Sequence, residues 1–341
     1  MAKLLVPKPI SGGLLLSYKC NSECKHCMYA CSPKCRANWI SLDDAGRVLT
    51  QLHAAFEHSY PARTSRLGLN FGLHFTGGEP FLNFRLLLSL VKIAHKIGFP
   101  STFVETNCFW CSDDKETEEK LVQLKNAGLH GVLVSVNPFI FEYVPFEKTL
   151  RAINIGRKVF GENVMVYQDF FYQQFRSLKI KGTLSFQDYV HKAGVRSLRF
   201  VELIPMGRAC YELGHLFVKR PAEAFVSESC LDELTRPWHV HVDNYCNYMT
   251  GYCGGISLGD ARNLDQICQG IKLDDYPIIA MLTSDNGIGK LLQFSVDEYN
   301  YKELKDGYVS KCHLCLDMRK HIVEQTSEFR ELKSEEFYRN I

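Results

Sequence analysis

Apolar and polar positions alternate in blocks along the first two thirds of the chain. GLLLSY (13–18), FGLHFT (71–76), STFVETN (101–107), GVLVSVN (131–137), NVMVYQD (163–169) and SLRFVEL (197–203) are short apolar runs, and they predict six strands. Segments of helical period lie between them. In 40–56, Ala45, Val48, Leu49, Leu52 and Phe56 share one face behind a capping box of Ser41 and Asp44. Residues 84–98 end on Gly98, and 115–128 are acidic early and end on Gly128. Further helices are predicted over 146–161 and, behind Ser185 and Asp188, over 185–194. Strands alternating with crossover helices mean a parallel sheet. Six units are fewer than the eight of a closed barrel, so a partial barrel and an open doubly wound sheet both fit. In either, chemistry belongs at the C-terminal ends of the strands.

The alternation stops near residue 210. The pattern divides the chain into a core over 1–210, a linker over 211–237 and a smaller cysteine-bearing α+β extension over 238–341, with a strand pair expected around 277–295. The 341 residues carry a formal net charge of +2 and no dense Lys/Arg block, which does not suggest a nucleic-acid partner. The first residues lack a long apolar stretch, and no run reaches the length of a membrane span, so a cytoplasmic protein with no membrane partner is expected.

Fourteen cysteines change the picture. In a reducing compartment they read as metal ligands, redox groups or small buried residues rather than disulfides. Cys20, Cys24 and Cys27 follow the first strand at spacings of four and three. Three thiolates fall one short of a closed site, and a [4Fe–4S] cluster held by three cysteines leaves one iron open to another ligand. A structural zinc site is the plain alternative.

Cys20-x-x-x-Cys24-x-x-Cys27, with His26 just before the third cysteine, resembles the signature of the radical SAM superfamily. Gly77-Gly78-Glu79-Pro80 after the next strand resembles that family's second motif. The resemblance covers roughly residues 12–208. It implies an α/β partial (β/α)6 TIM-like barrel, a cluster on Cys20, Cys24 and Cys27, and S-adenosylmethionine on the open iron. Gly77, Gly78 and Glu79 would meet the methionyl end, and His26 would pack near the adenine. Asn107, Ser135 and Gln168 are candidates by position at strand ends, where ordinary turn roles serve equally well.

The extension resembles a Twitch or SPASM-type auxiliary-cluster domain. Glu202–Ala209 is similar to the lead-in segment, and Cys312-x-x-Cys315 is a metal-type pair. Cys253, Cys268, Cys312 and Cys315 would hold one auxiliary [4Fe–4S] cluster, with Cys246 or Cys230 as substitutes. Nothing after Cys315 is cysteine, which fits a single cluster.

The implied activity is reductive cleavage of S-adenosylmethionine and hydrogen abstraction from an unactivated C–H of a small metabolite or a peptide. Oxidation or cross-linking is the expected outcome, with a flavodoxin or ferredoxin as electron donor. With the first strand at residue 13, no leader-peptide domain is expected ahead of the core. Maturation of a partner protein and a non-catalytic iron–sulfur carrier are the alternatives. Cys108, Glu105 and Asp169 are weak candidates for catalytic groups.

Overall fold

The computed structural model describes residues 2–56, 67–200 and 205–341. Lys3–Leu4 (β1) pairs antiparallel with Ile271–Lys272 (β9), tying the start of the chain to the C-terminal third. The main sheet holds Ser11–Leu15 (β2), Gly72–Thr76 (β3), Thr102–Thr106 (β4), Gly131–Ser135 (β5), Val164–Tyr167 (β6), His239–Val242 (β7) and Tyr248–Thr250 (β8). Its order is β6-β5-β4-β3-β2-β7-β8, and every pair but β7–β8 is parallel. This is the expected α/β class, a parallel sheet with crossover helices.

The crossovers are Leu42–Phe56 (α1), Phe84–Ile97 (α2), Asp114–Asn126 (α3) and Phe146–Phe160 (α4). Their ends follow local chemistry. The Ser41 hydroxyl accepts from Asp44 N–H at 3.0 Å to start α1, and Asp113 accepts from Glu116 N–H at 2.9 Å to start α3. Gly98 ends α2 at φ 102°, where a side chain would be strained. Asp169–Ser177 (α5), Phe186–Ala193 (α6), Arg208–Glu212 (α7) and Leu231–Leu234 (α8) lead out of the core. Leu264–Cys268 (α9), Pro277–Leu282 (α10), Gly287–Tyr299 (α11), Lys311–Gln325 (α12) and Glu335–Arg339 (α13) complete the chain. No helix among the described residues is long and apolar enough to cross a membrane.

Three expectations change. Of the predicted strand over 197–203, residues 195–200 form a 3-10 turn and 201–204 lie outside the described residues. The sixth parallel strand among the described residues is instead β7, paired with the free edge of β2. Residues 277–299 form helices α10 and α11, not strands, with Pro277 preset for a first helical turn. The division at 238 does not separate two sheets, because β7 and β8 belong to the core sheet. Arg262, just before α9, also bonds Asp44 of α1 at 2.6 Å.

Candidate functional site

The loop after β2 is pinned at its base. Cys20 N–H donates to Ser32 O and Ser32 N–H to Tyr18 O, both at 3.2 Å, so residues 20–31 form a closed excursion. Arg208, at the start of α7, fixes it from within. Its guanidinium donates to Cys24 O at 2.8 Å and Cys31 O at 3.0 Å, and its backbone N–H to Cys27 O at 3.1 Å. Cys20, Cys24 and Cys27 line one cavity of about 300 Å³ at the C-terminal ends of the strands, and Cys31 lines it too.

Burial pushes the Cys20 and Cys24 thiols up. For Cys27 the hydrogen bond from the Cys31 thiol, helped by Arg208, outweighs burial and brings it down to about 6. A thiolate at Cys27 is the form a metal takes.

Gly77-Gly78-Glu79 is stitched to the same loop. Gly78 N–H donates to Ser17 O at 2.8 Å and Glu79 N–H to Lys19 O at 3.1 Å. A Cβ on Gly78 would stand 1.9 Å from Lys19 O, so no other residue fits without moving the segment. The Glu79 carboxylate is buried. Oε1 accepts from Thr106 Oγ1 at 3.0 Å and Phe81 N–H at 3.2 Å, and Oε2 from Asn107 N–H at 2.9 Å. A carboxylate offers about four acceptor positions, so one remains for a donor in the cavity. Burial raises its carboxyl to about 7, with these hydrogen bonds pulling the other way.

Asn107 is buried and donates to Asn21 Oδ1 at 2.9 Å and Ser22 Oγ at 3.3 Å, beside Cys20. It therefore shapes the cysteine loop. His26 stacks on Phe139 and meets Asn137 Nδ2 at 3.1 Å through Nε2, while its Nδ1 is buried without a partner. Ser135 lines the cavity. Gln168, at the head of α5, has a buried Oε1 with no partner and lies outside the cavity lining. The sequence places Arg208 only within the Glu202–Ala209 segment and Asn137 only at the end of a strand, and singles out neither as a site residue.

The weak catalytic candidates separate. Glu105 lines the cavity, accepts from Thr76 Oγ1 at 2.6 Å, and is raised to about 7 by burial. Asp169 is exposed at the start of α5, accepts from Gln173, and does not line the cavity, because β6 ends at Tyr167. Cys108 is fully buried behind Thr106, outside the cavity, at φ 68°. That left-handed position is one glycine suits best.

A second group of thiols converges behind the first. Cys230, Cys253, Cys312 and Cys315 line a narrow cavity with Gly207, Tyr252 and Arg319. Cys230 precedes α8, Cys253 follows β8, and the other two lie on the first turns of α12. Cys268 is not among them. It ends α9, with Lys8 and Asp265 as its charged neighbours, and Cys230 occupies the fourth place. Arg319 donates to Cys315 Sγ at 3.3 Å and to Gly254 O at 3.2 Å. Gly207 links the two sites: a Cβ there would stand 2.3 Å from Met28 O and 2.7 Å from Cys27 O.

Both donor sets fit iron–sulfur clusters. Among the described residues, neither brings three donor atoms within 4.8 Å of one another. A cubane of four irons spreads its thiolates wider than a single ion does. The first set also fits S-adenosylmethionine, through the spare acceptor position of Glu79 and the unpartnered Nδ1 of His26, both on the cavity wall.

Residues 13–144 match a family described as "4Fe-4S single cluster domain". No curated protein matches the chain by sequence. Among solved structures, it is distantly similar to BtrN in complex with AdoMet and 2-DOIA, with 14% identity, 84% of this chain and 91% of that one covered, and a TM-score of 0.43. It is similarly distant from anSMEcpe with bound AdoMet, with 12% identity, 93% and 98% covered, and a TM-score of 0.45. A further anSMEcpe structure, with bound AdoMet and Cp18Cys peptide, matches at 11% identity over 94% of this chain and 98% of that one, with a TM-score of 0.44.

Proposed function

We propose that this chain is a radical SAM enzyme, which cleaves S-adenosylmethionine in its cavity and uses the product radical on a C–H bond of a small molecule or a single peptide side chain. The observation that carries this reading is the meeting of Cys20, Cys24 and Cys27 with Gly77-Gly78-Glu79 and His26 on one cavity. The bound cluster would supply the electron that breaks the sulfonium bond and yields a 5′-deoxyadenosyl radical. The protein's own work is to bind, orient and exclude water.

Arg208 and Asn107 hold the cysteine loop in shape. Gly78 lets the segment that carries Glu79 pack against Lys19 O, and Glu79 accepts from the ligand's ammonium. Asn137 holds His26 through Nε2 on the cavity wall, where the adenine would pack. A cavity of about 300 Å³ lies at the lower end of the small-ligand range, and it must hold S-adenosylmethionine and the reacting end of the substrate together. That favours a small metabolite over a folded partner.

Cys230, Cys253, Cys312 and Cys315 would hold an auxiliary cluster that takes up the electron left on the substrate. Their convergence on one narrow pocket supports this, and oxidation is the reaction type it suits. A flavodoxin or ferredoxin would supply the first electron.

The test is anaerobic formation of 5′-deoxyadenosine by reconstituted, reduced protein. Wild type should form it, and the Cys20→Ala, Cys24→Ala and Cys27→Ala variants should form none. A wild-type protein that binds iron but yields no 5′-deoxyadenosine would instead be a carrier.

A further inference from the structure

We infer that His74, His239 and His241 form a mononuclear divalent-metal site on the floor of the cavity, distinct from both cysteine sets. The three imidazoles are buried, and their donor atoms lie within 4.8 Å of one another. Among the described residues, this is the one group of three such side chains that close. All three rings border the cavity that also holds Cys20, Cys24 and Cys27.

The sheet builds the site. Gly13 of β2 pairs with His74 of β3 on one side and His241 of β7 on the other. The three residues form one row, and strand alternation turns their side chains to one face. Two positions earlier, Ser11 pairs with His239. A Cβ at residue 13 would stand 2.2 Å from His74 Nε2 and 2.7 Å from His241 Cδ2, so the glycine clears the space in which the rings meet. Ring centroids are 4.9 to 5.3 Å apart.

An ordinary packed core does not explain the polar atoms. Neither nitrogen of His74 has a hydrogen-bond partner, and neither does His241 Nδ1. Buried unpaired donors and acceptors are costly and uncommon. His239 is held differently: its Nδ1 meets Ser11 Oγ at 2.7 Å, which leaves Nε2 for a metal. A hydroxyl fixing one ring nitrogen so that the other can ligate is a usual supporting contact at metal sites. Burial keeps the imidazoles neutral, the ligating form.

Glu105 stands beside the group, with Oε1 3.5 Å from His74 Nε2. It offers the negative charge that a buried divalent ion needs. Ligands around tetrahedral zinc are about 3.3 Å apart at a metal–nitrogen distance near 2.0 Å. Imidazole donors suit zinc and its neighbours, and zinc displaces ferrous iron from such sites.

The test uses holoenzyme reconstituted anaerobically with iron and sulfide, so that its cluster cysteines are filled. Zinc sulfate is added, loosely held zinc is removed by desalting over a mild chelator, and zinc is counted per chain. X-ray absorption at the zinc edge then reads its neighbours. The inference expects about one zinc per chain with only nitrogen and oxygen neighbours near 2.0–2.1 Å. A His74→Gln/His241→Gln variant should lose at least tenfold in retained zinc while keeping its iron. No retained zinc, or a sulfur shell near 2.3 Å in the wild type, overturns the site, and so does full retention by the variant. Should the variant not fold, the wild-type neighbour shell alone decides. None of these readouts depends on cleavage of S-adenosylmethionine.

Discussion

The two cysteine sites stand either side of the Cys27–Met28 backbone and differ in almost every other respect. The first takes Cys20, Cys24 and Cys27 from one eight-residue stretch on the loop after β2, with Cys31 further along the same loop, and opens on a cavity of about 300 Å³. The second collects four thiols from three separate segments around a narrow pocket that Arg319 and Phe337 also line. Near the first, Arg208 points at loop carbonyls, so its charge shapes the loop. At the second, Arg319 points at a sulfur. On the proposed function the difference separates their work. An open three-thiol site is suited to binding and activating a ligand, whereas a closed four-thiol site is suited to storing or passing an electron.

The largest effect should come from breaking the open site. Replacing Cys20, Cys24 and Cys27 by Ala should remove roughly four irons per chain and abolish 5′-deoxyadenosine, while leaving the closed site's iron. Iron analysis beside product chromatography reads both. Gly78→Ala comes next. Its Cβ collides with Lys19 O and displaces the segment that carries Glu79. A displacement of about 1 Å should slow cleavage by roughly 100-fold, with total iron unchanged.

Cys312→Ala or Cys230→Ser should remove the other set of roughly four irons but leave substrate-independent cleavage of S-adenosylmethionine within a few-fold. Cys268→Ser should change neither. Loss of iron in the Cys268 variant would restore it as a ligand and remove Cys230.

Arg208→Met leaves the carbonyls of Cys24 and Cys31 without their donors. Hydrogen bonds from a charged group are worth about 1.5–3 kcal/mol each, so the denaturation midpoint should fall, and the open site should lose iron first. The smallest effect concerns pH. The folded Glu79 carboxyl titrates near 7, above its usual 4.5, because burial favours the protonated form. The folded apoprotein therefore holds that proton more tightly than the unfolded chain. Glu79 lowers stability as pH rises from about 4.5 to 7, and Glu79→Gln should flatten that slope in denaturant titrations.

The open site was legible because all its cysteines fall in one loop between a strand and a helix. Five strands and four crossover helices were legible for a similar reason: their periods and ends are local, as with Ser41 and Gly98. The closed site was legible only in part. Cys312 and Cys315 share a helical turn, but Cys230 and Cys253 reach them through tertiary packing, which leaves no spacing to read. The same holds for β7. Its pairing with β2 joins residues more than 220 positions apart, and the strand lies beyond the point where alternation stops. The apolar run at 277–282 was too short for period to separate strand from helix. The His-Val-His step of 239–241 places two imidazoles on one strand face, but its meaning depends on His74 two strands away.

The most direct test of the contrast between open and closed sites is electron paramagnetic resonance of the two reduced cysteine variants, with and without S-adenosylmethionine. In Cys312→Ala/Cys315→Ala protein the remaining cluster signal should shift on addition of the ligand. In Cys20→Ala/Cys24→Ala/Cys27→Ala protein the remaining signal should be unmoved. A shift in the second variant, or none in the first, would contradict the assignment of S-adenosylmethionine to the open site.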